Sequence, residues 1–141
     1  MASGRELLQQ LARLRLDEAK LLAREKQFSG AYYIAGYAIE CALKARIAAR
    51  FRENEIPDRG LVNQVYTHDL AALLSLAGLQ KLLDAKRQTD FELDRRWSVI
   101  KNWTEQARYR IWTEQEAAAI IDAVDGDGRA GGLFQWLSAR W

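Results

Sequence analysis

The sequence predicts an all-α fold, an up-and-down bundle of roughly four to six helices in one domain over residues 1–141. Apolar residues recur at three- and four-residue spacing along most of the chain. No stretch alternates between apolar and polar residues for long enough to form a strand, and Pro57 is the only proline. A chain of this length has the usual size of one domain and can bury a substantial core.

The first helix is predicted to begin near Ser3, whose side chain can cap it, and to run to about Lys26. One face of this segment is apolar at helical spacing, through Leu7, Leu8, Leu11, Leu14, Ala19 and Leu22. Charged residues occupy the opposite side. We therefore expect an amphipathic helix that packs on one face.

The second helix is predicted from Phe28 and is expected to end around Arg52 to Asn54. No residue from Phe28 to Ile39 is charged, and apolar residues cover most of the circumference, which is typical of a helix enclosed by others. A membrane span is excluded, because the uncharged run is short and Glu40 follows it directly.

Turn and cap residues divide the remaining chain. The segment 53–67 is predicted to be a loop, Thr67 to cap a short helix that ends at Gly78, and 79–88 to form another. Thr89 or Asp90 is expected to cap a helix over 91–103, and 105–112 to form a helical turn or a loop. Thr113 and Glu116 form a capping box that starts a helix, which ends at a flexible glycine-rich connection, 126–132, before a short final helix.

The composition limits the possible functions. The net charge of +2 is too small to argue for nucleic acid by itself, and Cys41, the only cysteine, cannot form a disulfide within the chain. One histidine and one cysteine provide no metal site, and no nucleotide-binding glycine motif is present, so we expect no metal and no cofactor. The N-terminal residues lack an apolar signal region, which favours the cytoplasm.

Three groups of polar residues are candidates for a site. Glu40 lies in a mostly apolar helix, where it either pairs with Lys44 one turn later or accepts hydrogen bonds from another part of the fold. His68 is either a surface neighbour of a helix cap or a catalytic residue. Arg108 and Tyr109 combine a permanent cation with a phenol, which can hold a phosphate and stack on a base, but an arginine paired with a carboxylate at a helix corner gives the same pattern.

Several of these stretches together resemble the HEPN domain family (higher eukaryotes and prokaryotes nucleotide-binding). The resemblance covers nearly the whole chain, and it lies in the Tyr- and Ala-rich helix that ends in Glu40, Cys41, Leu43 and Lys44, in Thr67–Leu70, in Trp103 with Arg108 and Tyr109, and in the tail Gly132, Leu133, Trp136, Leu137 and Trp141. It implies a helical bundle that forms a homodimer and acts with a minimal nucleotidyltransferase in a toxin–antitoxin-type system.

The resemblance implies a nucleotide- or RNA-binding accessory module, with Glu40, Lys44, Arg108 and Tyr109 as ligand-binding residues. Other family members are metal-independent RNases that use an arginine, a short polar spacer and a histidine. His68 has no arginine four to six residues before it, so a non-catalytic role is favoured. The alternatives are a divergent RNase that uses His68, and a dimerisation protein without a ligand.

Overall fold

The computed structural model describes residues 4–51 and 54–141, and this part of the chain contains eight α-helices, one 3-10 helix and no strand. The helices are α1 (Gly4–Arg24), α2 (Phe28–Ala48), α3 (Arg59–Val65), α4 (Leu70–Leu76), α5 (Gln80–Thr89), α6 (Phe91–Ile100), the 3-10 helix (Glu105–Tyr109), α7 (Glu114–Asp125) and α8 (Leu133–Ser138). The predicted all-α fold is confirmed. The described residues contain more helices than the four to six expected of the bundle, and α3 is the one that no predicted segment covers.

Helix α2 is the centre of the bundle. It packs extensively against α1 and also contacts α4, α7, α8 and the 3-10 helix. Twelve of its residues are buried, so it is enclosed on most sides, as its apolar circumference predicts. No helix in the described ranges is long and apolar enough to cross a membrane.

Some predicted helix boundaries differ from those of the structure. The expected cap Ser3 lies outside the described residues, and α2 ends at Ala48, before the predicted end. Part of the predicted loop 53–67 is helix α3, which begins where the Asp58 side chain accepts a hydrogen bond from the Leu61 amide (3.2 Å). No residue of α3 is buried, so apolar periodicity gave little sign of this helix.

The cap of α4 is Asp69 instead of Thr67. The Asp69 carboxylate accepts hydrogen bonds from the Ala71 and Ala72 amides at 3.0 and 3.2 Å, and the Thr67 hydroxyl accepts one from the Asp69 amide at 3.1 Å. This arrangement fixes the backbone at 67–69 and thereby the position of His68, which lies between Thr67 and Asp69.

The tryptophans are accommodated within one chain. Trp97 and Trp103 are buried, and Trp112, Trp136 and Trp141 are partly buried against the core. Their number therefore gives no argument for a second copy of the chain. Trp103 lies on α2 at Gly36, where a Cβ atom would overlap the indole ring.

The glycine-rich segment 126–132 is held by specific hydrogen bonds. The buried Arg96 of α6 donates to the Gly131 carbonyl (2.8 Å), and the Asp127 carboxylate accepts from the amides of Arg129 and Ala130, each at 3.0 Å. Gly126 has a φ of 82°, which favours glycine. The flexible connection expected from composition is thus a tethered turn.

Candidate functional site

One side of α2 carries the residues around which the candidate site forms. Tyr33, Tyr37, Glu40 and Lys44 are spaced by three and four residues, so they follow one another along the helix. The two tyrosines and Lys44 are partly exposed, whereas Glu40 is only 2% exposed. A buried carboxylate needs polar partners, since burial of an unpaired charge is costly.

Glu40 has two such partners. Its Oε1 lies 2.7 Å from Nδ1 of His68, and its Oε2 lies 3.4 Å from Nζ of Lys44. Both predicted possibilities for Glu40 are therefore present. It pairs with Lys44 within α2, and it also bonds to His68, which precedes α4. The carboxylate fixes His68 against α2.

The imidazole of His68 lies between two carboxylates. Its Nε2 is 3.1 Å from Oε2 of Glu105, the first residue of the 3-10 helix. A neutral imidazole can donate to one of the two acids, and an imidazolium can donate to both. The arrangement joins α2, the start of α4 and the 3-10 helix through one side chain.

A concavity of about 430 Å³ opens beside His68. It is lined by Thr67, His68, Asp69, Lys101, Trp103, Thr104, Glu105 and Gln106. Five of these eight residues belong to the segment 101–106, which leads into the 3-10 helix. Of the Glu40–His68 pair, only His68 lines this space.

Arg108 and Tyr109 form the second part of the site, at the end of the 3-10 helix. The Arg108 guanidinium lies 5.0 Å from the Tyr109 ring centre, and the Tyr109 side chain is exposed. The pKa of Arg108 is raised above its ordinary value, chiefly by a hydrogen bond to Tyr109 and less by one to Tyr33. In the part of the chain that the structure describes, no carboxylate lies within ion-pair distance of Arg108.

These neighbours argue against a structural arginine–carboxylate pair, which was one of the two interpretations of Arg108. A structural pairing with Glu40 or Asp69 is absent from the described residues, since Glu40 bonds to His68 and Lys44, and Asp69 caps α4. Arg108 is instead an exposed cation beside the Tyr109 ring and the Tyr33 hydroxyl. Such a group is free to meet an anion from solution.

An aromatic row connects the two parts. The Tyr33 ring stacks on Trp103 with 5.8 Å between ring centres, and on Tyr37 with 6.2 Å. Trp103 is buried, and its indole Nε1 has no hydrogen-bond partner among the described residues. We refer to Tyr33, Tyr37, Lys44, Arg108 and Tyr109 as the ridge surface.

Sequence reasoning did not identify Glu105 or Tyr33 as parts of the site. Glu105 lies three residues before Arg108, and a 3-10 helix places residues at this spacing on the same side. If the 3-10 helix had been predicted, this spacing would have indicated that Glu105 and Arg108 belong to one surface. The contact between Tyr33 and Arg108 joins residues far apart in sequence, and no local pattern indicates it.

The remaining titratable groups near α2 are not suited to nucleophilic chemistry. Burial raises the pKa of the Cys41 thiol to about 11, and the nearby Glu40 adds to this effect. Burial also raises the pKa of the Tyr37 hydroxyl. Within residues 4–51 and 54–141, no group of three or more histidine, cysteine or acidic side chains could hold a metal ion.

No family model, curated protein or solved structure matches the chain. The functional argument therefore depends on the site itself.

Proposed function

We propose that this protein is a HEPN-like module that binds a nucleotide or a short single-stranded RNA at the ridge surface. The observation that carries the proposal is Arg108, an exposed guanidinium whose neighbours are the Tyr109 ring and the Tyr33 hydroxyl. A guanidinium can form two parallel hydrogen bonds to phosphate oxygens. The absence of a competing carboxylate in the described residues keeps that charge available.

The tyrosines provide the second half of the recognition. Tyr109 is 73% exposed, so a base can stack on its ring close to the bound phosphate, and the Tyr33 hydroxyl lies beside the same guanidinium. Stacking on an aromatic side chain contributes about 1–3 kcal/mol per base and tolerates any base. The site is therefore expected to favour single strands and to discriminate weakly between sequences.

Glu40 has an orienting role in this proposal. It holds Lys44 at the other end of the ridge and fixes His68, which in turn contacts Glu105 at the start of the 3-10 helix. Through this chain of contacts, the buried carboxylate supports the segment that presents Arg108. Glu40 itself does not contact the ligand.

The resemblance to HEPN domains extends the proposal to partners. We infer a homodimer that acts with a nucleotidyltransferase-type protein in a toxin–antitoxin-type system. The support is the joint order of the quoted stretches in the sequence. Sedimentation at micromolar concentration tests the dimer, and co-purification with the product of the adjacent reading frame tests the partner.

The binding proposal is tested by calorimetric titration with a panel of nucleotides and short RNAs. Arg108→Ala should weaken binding and leave the melting temperature unchanged, and Arg108→Lys should restore only part of the affinity because lysine lacks the planar fork. Arg129→Ala removes an exposed arginine from the α7–α8 turn and serves as the matched control. If no nucleotide or RNA binds the wild type at low salt, the proposal is wrong.

A divergent RNase is the second candidate, and one observation favours it. The 2.7 Å contact with Glu40 holds the imidazole of His68 in place, as an acid does for a catalytic histidine, and His68 lines the concavity. An RNA-cleavage assay in the presence of a metal chelator distinguishes an RNase from a non-catalytic binding module. Metal-independent cleavage that His68→Ala abolishes would make the protein an enzyme.

A further inference from the structure

Helix α1 carries a line of exposed leucines, which we call the leucine row. Leu7, Leu14 and Leu21 follow one another at a spacing of seven residues, and they are 52, 49 and 50% exposed. Leu7 and Leu14 were expected on the packed face of α1, but among the described residues neither belongs to the core or packs against it. The buried residues of α1 lie on nearly the opposite side of the helix: Ala12, Leu16 and Ala19.

The spacing of the row is typical of helices that pair side by side. A seven-residue repeat of leucine keeps one line of a helix facing its partner over its whole length. Leu11 lies beside the row and is only partly buried, so the apolar surface widens near its centre. A single exposed leucine, such as Leu82 on α5, needs no explanation, whereas a continuous apolar row marks an interaction surface.

Two charges beside the row indicate what kind of partner fits it. Arg13 and Asp17 lie one turn apart on one flank, and both are exposed. In the part of the chain that the structure describes, neither has an oppositely charged group within ion-pair distance, whereas Arg15 and Glu18 pair with each other. The Arg13 guanidinium lies 4.8 Å from the centre of the Trp141 ring, which leaves its charge uncompensated. A partner with the same two charges in reverse order would compensate both.

A second copy of α1 in antiparallel orientation provides that order. Leu7 and Leu21 are centred on residue 14, and Arg13 and Asp17 are centred on residue 15. A two-fold axis beside Leu14 therefore brings Leu7 of one copy to Leu21 of the other. The same axis brings Arg13 of each copy to Asp17 of the other, because a two-fold axis repeats every contact.

A parallel pair does not fit the charges. It would place Arg13 beside Arg13 and Asp17 beside Asp17, and it would bring Glu18 close to its own copy. Contacts between like charges disfavour the wrong pairing. In the antiparallel pair, Glu6 in the first turn of α1 lies near Arg24 in the last turn of the other copy. The charges thus favour one orientation over the other.

We propose that two copies of this chain associate through the leucine rows of their α1 helices, in antiparallel orientation, with the two-fold axis beside Leu14. The inference rests on the homodimer of the proposed function and deepens it, because it assigns the surface that forms the dimer. The row supplies the apolar burial, and Arg13 and Asp17 fix the orientation. One helix from each copy gives an interface at the small end of the range for specific complexes, so we expect dissociation at micromolar concentrations.

Sedimentation velocity at a series of micromolar concentrations measures the dimer. Leu14→Glu should weaken it about a hundredfold, because the substitution places two like charges beside the axis. Leu82→Glu is the matched control, since Leu82 is also an exposed leucine on a helix, and it should dimerise like the wild type. Both variants should keep the melting temperature of the monomer, because the side chains that they replace are about half exposed.

An exchange of charges tests the flank. Arg13→Asp and Asp17→Arg should each weaken the dimer about tenfold, because each creates two contacts between like charges. The double variant Arg13→Asp with Asp17→Arg restores both contacts and should dimerise like the wild type. An equimolar mixture of the two single variants should form a heterodimer.

Cysteine variants test the orientation. Leu7→Cys mixed with Leu21→Cys should give a disulfide between the two chains on mild oxidation. Leu7→Cys alone should not, because the antiparallel pair separates the two copies of position 7 by about 21 Å along the helix, and a disulfide needs Cα atoms within about 7 Å. The wild type, whose Cys41 is buried, is the control.

The outcomes separate this inference from the proposed function. A dimer that Leu14→Glu leaves as strong as the control would refute the α1 interface, while the homodimer stands. A disulfide with Leu7→Cys alone would refute the antiparallel orientation. A wild type that stays monomeric would refute both the interface and the homodimer, and if its row then binds anionic vesicles, the row is a membrane-docking face. Binding at the ridge surface is decided separately, by the calorimetric titration.

Discussion

The substitution Glu40→Gln tests the central contact of the site. It removes one charge from a side chain that is 2% exposed and keeps its size nearly constant. The glutamine oxygen can still accept a hydrogen bond from His68, whose Nδ1 lies 2.7 Å from the carboxylate. Lys44 loses its ion-pair partner at 3.4 Å.

The expected loss of stability follows from these partners. Breaking a buried ion pair costs roughly 3–5 kcal/mol, and a single hydrogen bond to a charged group contributes about 1.5–3 kcal/mol. Lys44 keeps 18% of its side chain exposed, so it can recover some hydration, and His68 keeps an acceptor. We therefore expect a loss of about 2–3 kcal/mol, below the range for a buried ion pair and within the range for one hydrogen bond to a charged group.

Urea denaturation followed by tryptophan fluorescence measures this loss. For a chain of this size the melting temperature should fall by about 3 °C per kcal/mol, which gives an independent check. Glu25→Gln is the matched control, because Glu25 is exposed and follows the end of α1. A loss below about 1 kcal/mol for Glu40→Gln, as for an exposed pair, would refute the argument that this contact stabilises the fold.

Three further predictions concern the core around the site. Gly36→Ala should cost about 1–3 kcal/mol by overpacking against Trp103, and tryptophan emission should shift to longer wavelength. Cys41 should resist thiol reagents at neutral pH, and because folding raises its pKa from 9.0 to about 11, stability should fall as the pH rises through that interval. Arg96→Met should cost about 1–3 kcal/mol by leaving the Gly131 carbonyl without its donor, and should speed tryptic cleavage in the α7–α8 turn.

Each of these has a result that contradicts it. A Gly36→Ala variant as stable as the wild type would mean that the indole moves away at little cost. Labelling of native Cys41 as fast as that of a denatured sample would show that the thiol is accessible and ionises readily. For Arg96→Met, the exposed neighbour variant Arg95→Met is the control, and equal proteolysis of both would show that Arg96 does not tether the turn.

Local signals predicted most of the helices. Asp90 caps α6 through the Leu93 amide, and the Thr113–Glu116 capping box starts α7, both as expected. Gly78, with a φ of 74°, follows the end of α4. These features depend on residues within one turn of each other, so the sequence contains the information directly.

The site was less predictable because its contacts join distant segments. The expected pair of Glu40 and Lys44 is a one-turn contact and is present, but the shorter contact of Glu40 is with His68, 28 positions away. The predicted cap Thr67 was replaced by Asp69, two residues later, since both side chains can accept amide hydrogen bonds. The change of cap from Thr67 to Asp69 alters the direction in which the His68 side chain points. That direction depends on packing between distant segments, so the local sequence does not determine it.

The contact of Trp103 with Gly36 also has an evolutionary consequence. Any side chain at position 36 would occupy space that the indole now fills, and a smaller residue at 103 would leave a void beside the helix. Neither position can change alone without cost, whereas a larger residue at 36 and a smaller one at 103 compensate each other. In homologous chains we expect these two positions to covary, and an alignment in which they vary independently would contradict this expectation.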